Sequence, residues 1–198
     1  MPSFEYEEKH YLEGYTAVCG LDEAGRGPLC GPVVAAAVIL PLGLEIEGLN
    51  DSKKLSEKKR EALYDEIIRT AKCYSVALVD AQTIDRINIR EATKLCMAKA
   101  VDGLGVEPDF LLIDGNFVIN RISNERFVIG GDALSLSIGA ASILAKVTRD
   151  RLMKEIHEEF PEYNFLKHKG YGTKEHIEAI KKHGPSVHHR RSFLTRIL

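Results

Sequence analysis

The residues best equipped for chemistry are carboxylates that follow apolar runs. Asp22 and Glu23 close the apolar stretch 16–21, and Gly25-Arg26-Gly27-Pro28 follows them at once. Asp114 closes a second apolar run, Phe110-Leu111-Leu112-Ile113, and Asp132 stands after the pair Gly130-Gly131. Acids at the ends of neighbouring strands can hold hard cations such as Mg²⁺, which take oxygen ligands and keep several waters. Two such ions about 4 Å apart activate a water and stabilise a departing oxygen in phosphodiester hydrolysis. A glycine-flanked arginine lets the main chain approach a sugar or phosphate closely. Together these features point to a metal-dependent enzyme acting on a phosphodiester.

Each acid also has a plainer reading. Asp114 precedes Gly115, a common turn pair, and Asp132 could cap a helix. If the first strand runs on through Asp22 and Glu23, the two side chains face opposite ways and only one joins a cluster.

The elements that must position these acids follow from pattern. Residues 16–21 and 33–40 read as buried strands joined by the glycine turn, where the backbone bulges. Residues 1–13 read as a short helix packed on the body or as a frayed end. Ser56 caps a helix whose Leu63, Ile67 and Ala71 recur at core-facing spacing. Residues 73–80 alternate as a third strand, with Tyr74, Val76 and Leu78 on one face. Asn88 opens a helix that stops near Gly103 and Gly105, and its Cys96 and Met97 read as core. Residues 110–115 form a central strand and residues 126–129 a shorter one. Residues 137–160 form a long helix, apolar all round in its first half and ended by Pro161. Thr173 caps a last helix, stopped by Gly184-Pro185. This order predicts one α/β layered domain over residues 1–198 with a mixed sheet.

Bulk properties set limits. The 198 residues are 44% hydrophobic and 28% charged, an ordinary composition for a folded domain with a sizeable core. No apolar run approaches the ~20 residues of a membrane span, and residues 1–15 lack the pattern of a secretory signal. The four cysteines form no Cys-x-x-Cys pair and read as buried thiols in a reducing cytoplasm. Net charge is −2, but it is unevenly placed. Residues 163–198 carry eight Lys+Arg against two Glu, with five of the seven histidines, while the first 162 residues carry 19 Lys+Arg against 27 Asp+Glu. A basic C-terminal segment on an acidic body suits a nucleic-acid partner, although charge alone favours a solvated helix face and tail.

Longer motifs are more specific. Asp22-Glu23-Ala24-Gly25-Arg26-Gly27, Gly31-Pro32-Val33-Val34-Ala35-Ala36 and Asp51-Ser52-Lys53-Lys54-Leu55 resemble the opening of the type 2 ribonucleases H. So do Asp114-Gly115, the run from Ala140 to Asp150, His168-Lys169-Gly170-Tyr171-Gly172-Thr173-Lys174 and His189-Arg190-Arg191-Ser192-Phe193. The resemblance implies a ribonuclease H-like three-layer fold, with a mixed five-stranded sheet flanked by helices. It implies endonucleolytic cleavage of RNA in RNA–DNA hybrids, and cleavage on the 5′ side of ribonucleotides embedded in duplex DNA, leaving 3′-hydroxyl and 5′-phosphate ends. Asp22, Glu23, Asp114 and Asp132 then correspond to the acidic set holding Mg²⁺ or Mn²⁺. Gly25, Arg26 and Gly27 correspond to the turn that senses the ribose 2′-hydroxyl, and Tyr171 to the ring that stacks on the next sugar. Lys53, with Lys54, is a candidate for a backbone phosphate. A cytoplasmic monomer acting in ribonucleotide removal and replication is expected. The chain ends soon after Phe193, where some relatives carry a further helix, which implies weaker duplex binding.

Two rivals stay open. A metal-independent ribonuclease would use histidines and the 2′-hydroxyl as nucleophile, and a hybrid-binding module would not cut at all. Asp150 reads as an ion-pair partner, Lys146 and Ser142 as second-rank site residues, and His188 and His189 as exposed or phosphate-facing.

Overall fold

The computed structural model describes residues 2–49, 52 and 55–198. Five strands form one mixed sheet: β1 (Val18–Ala24), β2 (Val33–Ile39), β3 (Cys73–Val79), β4 (Phe110–Asp114) and β5 (Glu125–Val128), in the order β3-β2-β1-β4-β5. β1 runs antiparallel to β2, and β2 to β3, while β1–β4 and β4–β5 are parallel. Helices α1 (Glu5–Leu12), α2 (Glu57–Thr70), α3 (Ala81–Ile87), α4 (Ile89–Asp102), α5 (Leu136–Glu159), α6 (Phe165–His168) and α7 (Lys174–His183) complete it. The expected mixed five-stranded sheet flanked by helices is what forms.

β2 is buried at every residue because both its faces are covered. Val33, Ala35, Ala37 and Ile39 meet α4 residues such as Ala92, Cys96 and Met97. Val34, Ala36 and Val38 meet α5 residues such as Ala140, Ile143 and Leu144, with Leu63 and Ile67 of α2. On the edge strand β3, Tyr74 and Leu78 are exposed. Val76, between them, packs on the α5 side.

The first half of α5 is apolar all round because it lies directly on the sheet. A Cβ at Gly20 of β1 would sit 2.3 Å from the Ser137 carbonyl carbon and 2.4 Å from the Ile138 nitrogen. Glycine is therefore required there, and it brings the start of α5 onto the middle of β1. The N-terminal helix is packed rather than frayed. Buried Glu7 accepts hydrogen bonds from Ser135 Oγ at 2.6 Å and the Ser137 amide at 2.8 Å, and His10 stacks on Phe110.

The expected caps form. Ser56 accepts from the Lys59 amide, Asn88 from the Arg90 and Glu91 amides, and Thr173 from the His176 amide. Two short helices, α3 and α6, were not expected from pattern. The start of α3 had a signal in Asp80, which accepts from the Thr83 amide at 2.8 Å.

Candidate active site

β1 does not stop at Leu21. Its ladder with β2 continues through Asp22↔Ala36, Glu23↔Ala35 and Ala24↔Val34. The two acids therefore leave on opposite faces of the strand, Asp22 toward α5 and Glu23 toward the α4 side. Both nevertheless line one pocket, because the pocket lies at the end of the sheet and is open to both faces. Asp114, at the end of the neighbouring parallel strand β4, lines the same pocket. So do Gly25, Arg26, Gly27 and Tyr171, with Ser142 and Lys146 of α5.

Asp22 is 5% exposed, and its environment opposes ionisation. Burial, then the carboxylates of Glu23 and Asp114, hold its carboxyl well above the usual range. The Ser142 hydroxyl and the Glu23 amide, which donates to Asp22 Oδ1 at 2.7 Å, act the other way. Ser142 is held in turn by Ser52, 3.0 Å away between hydroxyl oxygens. Arg26 Nη1 lies 3.4 Å from Glu23 Oε1, close enough to tie the turn to the acids.

Negative charge held this closely in a desolvated pocket is what a hard cation neutralises, and carboxylate oxygens are the donors it takes. The donor set therefore fits a divalent ion. Among the described residues, no three or more histidine, cysteine or carboxylate side chains stand close enough together to hold a metal ion as they lie.

Asp132 is placed differently. It is buried on a 3-10 turn, Gly131–Ala133, beyond β5. The amide of Gly131 donates to Asp114 Oδ1 at 2.7 Å, which brings this turn against the end of β4. Asp132 is not among the residues that line the pocket. It does not cap α5, since Ser135 accepts from the Ile138 amide and fills that role. Lys53 lies outside the described residues.

Several residues differ from expectation. His189 is neither exposed nor turned to solvent: its Nε2 lies 3.0 Å from His176 Nε2, and its Nδ1 accepts from the Ser186 amide. Among the described residues, no histidine lines the acidic pocket, which removes the geometric basis for a histidine-based ribonuclease there. Asp150 pairs with Lys146 at 2.7 Å and lies 3.9 Å from Arg60, as an ion-pair role requires. Sequence reasoning missed two buried arginines. Arg149 donates to the carbonyls of Cys30, Pro32 and Lys169, and Arg190 to those of Gly25, Arg26 and Gly31. Basic residues near a nucleic-acid motif look alike in sequence whether they face phosphate or carbonyls.

The sheet order and the acidic pocket at its end define a protein of the ribonuclease H-like class, and solved structures agree. The chain is similar to the ribonuclease H2 of Pyrococcus horikoshii, with TM-score 0.72 and 27% identity over 89% of this chain and 93% of that one. It is similar to the RNase HII in the PCNA complex from Archaeoglobus fulgidus, with TM-score 0.74 and 27% identity over 88% and 94%. The profile of ribonuclease HII matches residues 19–196. The ribonuclease HII of Caldicellulosiruptor bescii is 56% identical over 98% of this chain and 95% of its own, and that of Burkholderia mallei 57% identical over 89% and 82%. The chain belongs to the ribonuclease HII family and is an endoribonuclease of the hydrolase class.

Proposed function

We propose that this enzyme hydrolyses the RNA strand of RNA–DNA hybrids and cuts duplex DNA on the 5′ side of embedded ribonucleotides, leaving 3′-hydroxyl and 5′-phosphate ends. The observation that carries the reading is one pocket lined by Asp22, Glu23 and Asp114, the Gly25-Arg26-Gly27 turn and Tyr171. Acids, a sugar-approaching turn and an exposed ring are the three parts such a reaction needs.

Asp22, Glu23, Asp114 and Asp132 would hold divalent ions, Mg²⁺ or Mn²⁺. When bound, the ions supply charge neutralisation at the phosphate and a more acidic water. The chain's own residues do the rest. Gly27 leaves room for a ribose against the main chain, whereas the space beside Gly25 is filled by Arg149, and the 2′-hydroxyl is the group that separates RNA from DNA. Tyr171 is 47% exposed at the pocket's rim, so its ring can stack on the following sugar. Lys146 places an ammonium at the pocket wall, where a phosphate can meet it. The role of Lys53 as a phosphate contact belongs to the same reading, as does duplex binding by the basic segment from about residue 163. No described helix is long and apolar enough to cross a membrane, and we place the enzyme as a cytoplasmic monomer acting in ribonucleotide removal and DNA replication.

The test is a labelled DNA duplex with one internal ribonucleotide, incubated with Mg²⁺ and separately with EDTA. The expected product is a single cut 5′ to the ribonucleotide, ending in a 3′-hydroxyl, only with Mg²⁺. Cleavage that persists in EDTA and leaves a 2′,3′-cyclic phosphate would establish the histidine rival. Tight binding with no cut would establish the binding module.

A further inference from the structure

Arg190 lies outside the pocket, fully buried on the segment after α7. Its guanidinium donates to main-chain oxygens that all come from one turn. Nη2 donates to Gly25 O at 2.6 Å and to Gly31 O at 2.8 Å, Nη1 to Arg26 O at 2.9 Å, and Nε to Gly31 O at 3.0 Å. The guanidinium is itself fixed. The Arg190 amide donates to Leu29 O at 2.8 Å, and its charge lies over the Phe193 ring. Arg191 and Ser192 amides are both held by Asp85.

The consequence follows from peptide geometry. Among the described residues there are no cis peptide bonds, and in a planar trans peptide the carbonyl and the following N–H point in opposite directions. A Gly25 carbonyl turned inward to Arg190 turns the Arg26 N–H outward, and an Arg26 carbonyl turned inward does the same for the Gly27 N–H. Outward is the acidic pocket, which Gly25, Arg26 and Gly27 line. Arg149 fixes the far end of the turn by donating to Cys30 and Pro32 carbonyls. Arginine suits this task because its donors form a rigid planar fork and it stays charged, which lysine's flexible ammonium does not reproduce.

We propose that Arg190 is a positioning residue for sugar selectivity: it aims the Arg26 and Gly27 amides as a donor pair at the 2′-oxygen of a ribonucleotide. This rests on the reading of the Gly25-Arg26-Gly27 turn as the ribose sensor. Arg190 touches no substrate and acts only through the two peptides it holds.

The experiment measures binding in EDTA, so that nothing is cut, to two duplexes of one sequence, all DNA or with a single ribonucleotide. The readout is the ratio of the two Kd values. Wild-type protein is expected to favour the ribonucleotide duplex at least tenfold. Arg190→Lys and Arg190→Met are expected to bring the ratio within about twofold of unity, mainly by weakening the ribonucleotide duplex, while affinity for all-DNA duplex is retained. Ile67→Ala, in the distant α2 core, supplies a destabilised control, and melting temperatures are measured for every variant. A ratio that falls in Ile67→Ala as far as in Arg190→Lys would mean a merely structural role and overturn the inference. Gly27→Ala separates the inference from the reading beneath it. Its added Cβ meets only Tyr171 Cε1, at 3.6 Å, so the fold accepts it while the sensor is altered. Loss of selectivity in Gly27→Ala with full selectivity in both Arg190 variants would overturn the role of Arg190 alone. A wild-type ratio near one would overturn the ribose sensor and the inference with it. If both Arg190 variants fail to fold, the ¹⁵N–¹H signals of Arg26 and Gly27 in the wild-type protein decide. A shift of both on the ribonucleotide duplex and neither on DNA supports the inference, and equal shifts on both overturn it.

Discussion

The Gly131 amide donates to Asp114 Oδ1 across 2.7 Å, a bond that joins the end of β4 to the turn that carries Asp132. A Cβ at residue 131 would lie 3.3 Å from Asp114 Oδ1 and 2.6 Å from Ile138 Cδ1. Gly131→Ala must therefore push the turn away from Asp114 or force Ile138 out of its place. Overpacking of this kind costs about 1–3 kcal/mol. We expect a folded protein with single-turnover cleavage reduced at least tenfold. Melting curves and cleavage rates check it together, and an unchanged rate would remove the turn from the site.

Asp22→Asn separates catalysis from stability. Burial and the facing acids hold the Asp22 carboxyl above its ordinary value. A carboxyl raised in the folded state favours the fold at low pH and weakens it as pH rises through the raised value. Removing the charge ends that loss. In metal-free buffer at neutral pH the variant is expected to melt about 2–4 °C above wild type, the shift that roughly 1 kcal/mol produces in a chain of this size. Cleavage in Mg²⁺ is expected to fall at least a thousandfold, a barrier increase of about 4 kcal/mol. Calorimetry across pH 5–8, paired with product gels, tests both halves.

The buried histidines make the fold acid-sensitive. His176 Nδ1 lies 2.9 Å from the Tyr171 carbonyl, so that nitrogen carries the proton. The Ser186 amide donates to His189 Nδ1, so His189 is protonated at Nε2 and donates to His176 Nε2. This neutral chain ends on the carbonyl of Tyr171. Burial first, with His168 beside His176 and with His176, His188 and Arg191 around His189, brings both values down to about 4. The unfolded chain binds these protons at about 6.5, so stability is full above that pH and is lost as pH falls toward 4. Each histidine costs about 2 kcal/mol at pH 5 on this scale. The melting temperature is expected to fall steeply from pH 6.5 to 4.5, and His189→Asn to reduce the slope. A flat profile would refute the chain of bonds.

How much of this was legible from sequence depends on whether a residue's role is set locally. Apolar runs ending in acids mark β1 and β4 correctly, and the motifs around Asp22 and Tyr171 mark residues that share one pocket. Ser56, Asn88 and Thr173 read correctly as caps because capping is settled within one turn of helix. The two faces of β1 misled, since strand alternation says nothing about a pocket at the sheet's end that both faces reach. Arg149, Arg190 and His189 misled for a different reason. Most partners of the two arginines lie over a hundred positions away, and a charge satisfied by carbonyls has no local signature, while His189 is buried by its contact with His176 on α7.

The central claim is that scattered acids converge to hold divalent ions beside the ribose-sensing turn. Crystals grown with Mn²⁺, measured near the manganese absorption edge, test it most directly. The account predicts anomalous peaks bounded by Asp22, Glu23, Asp114 and Asp132, and their loss or marked weakening in Asp22→Asn. Manganese bound elsewhere, with that pocket empty and the enzyme still cutting, would contradict it.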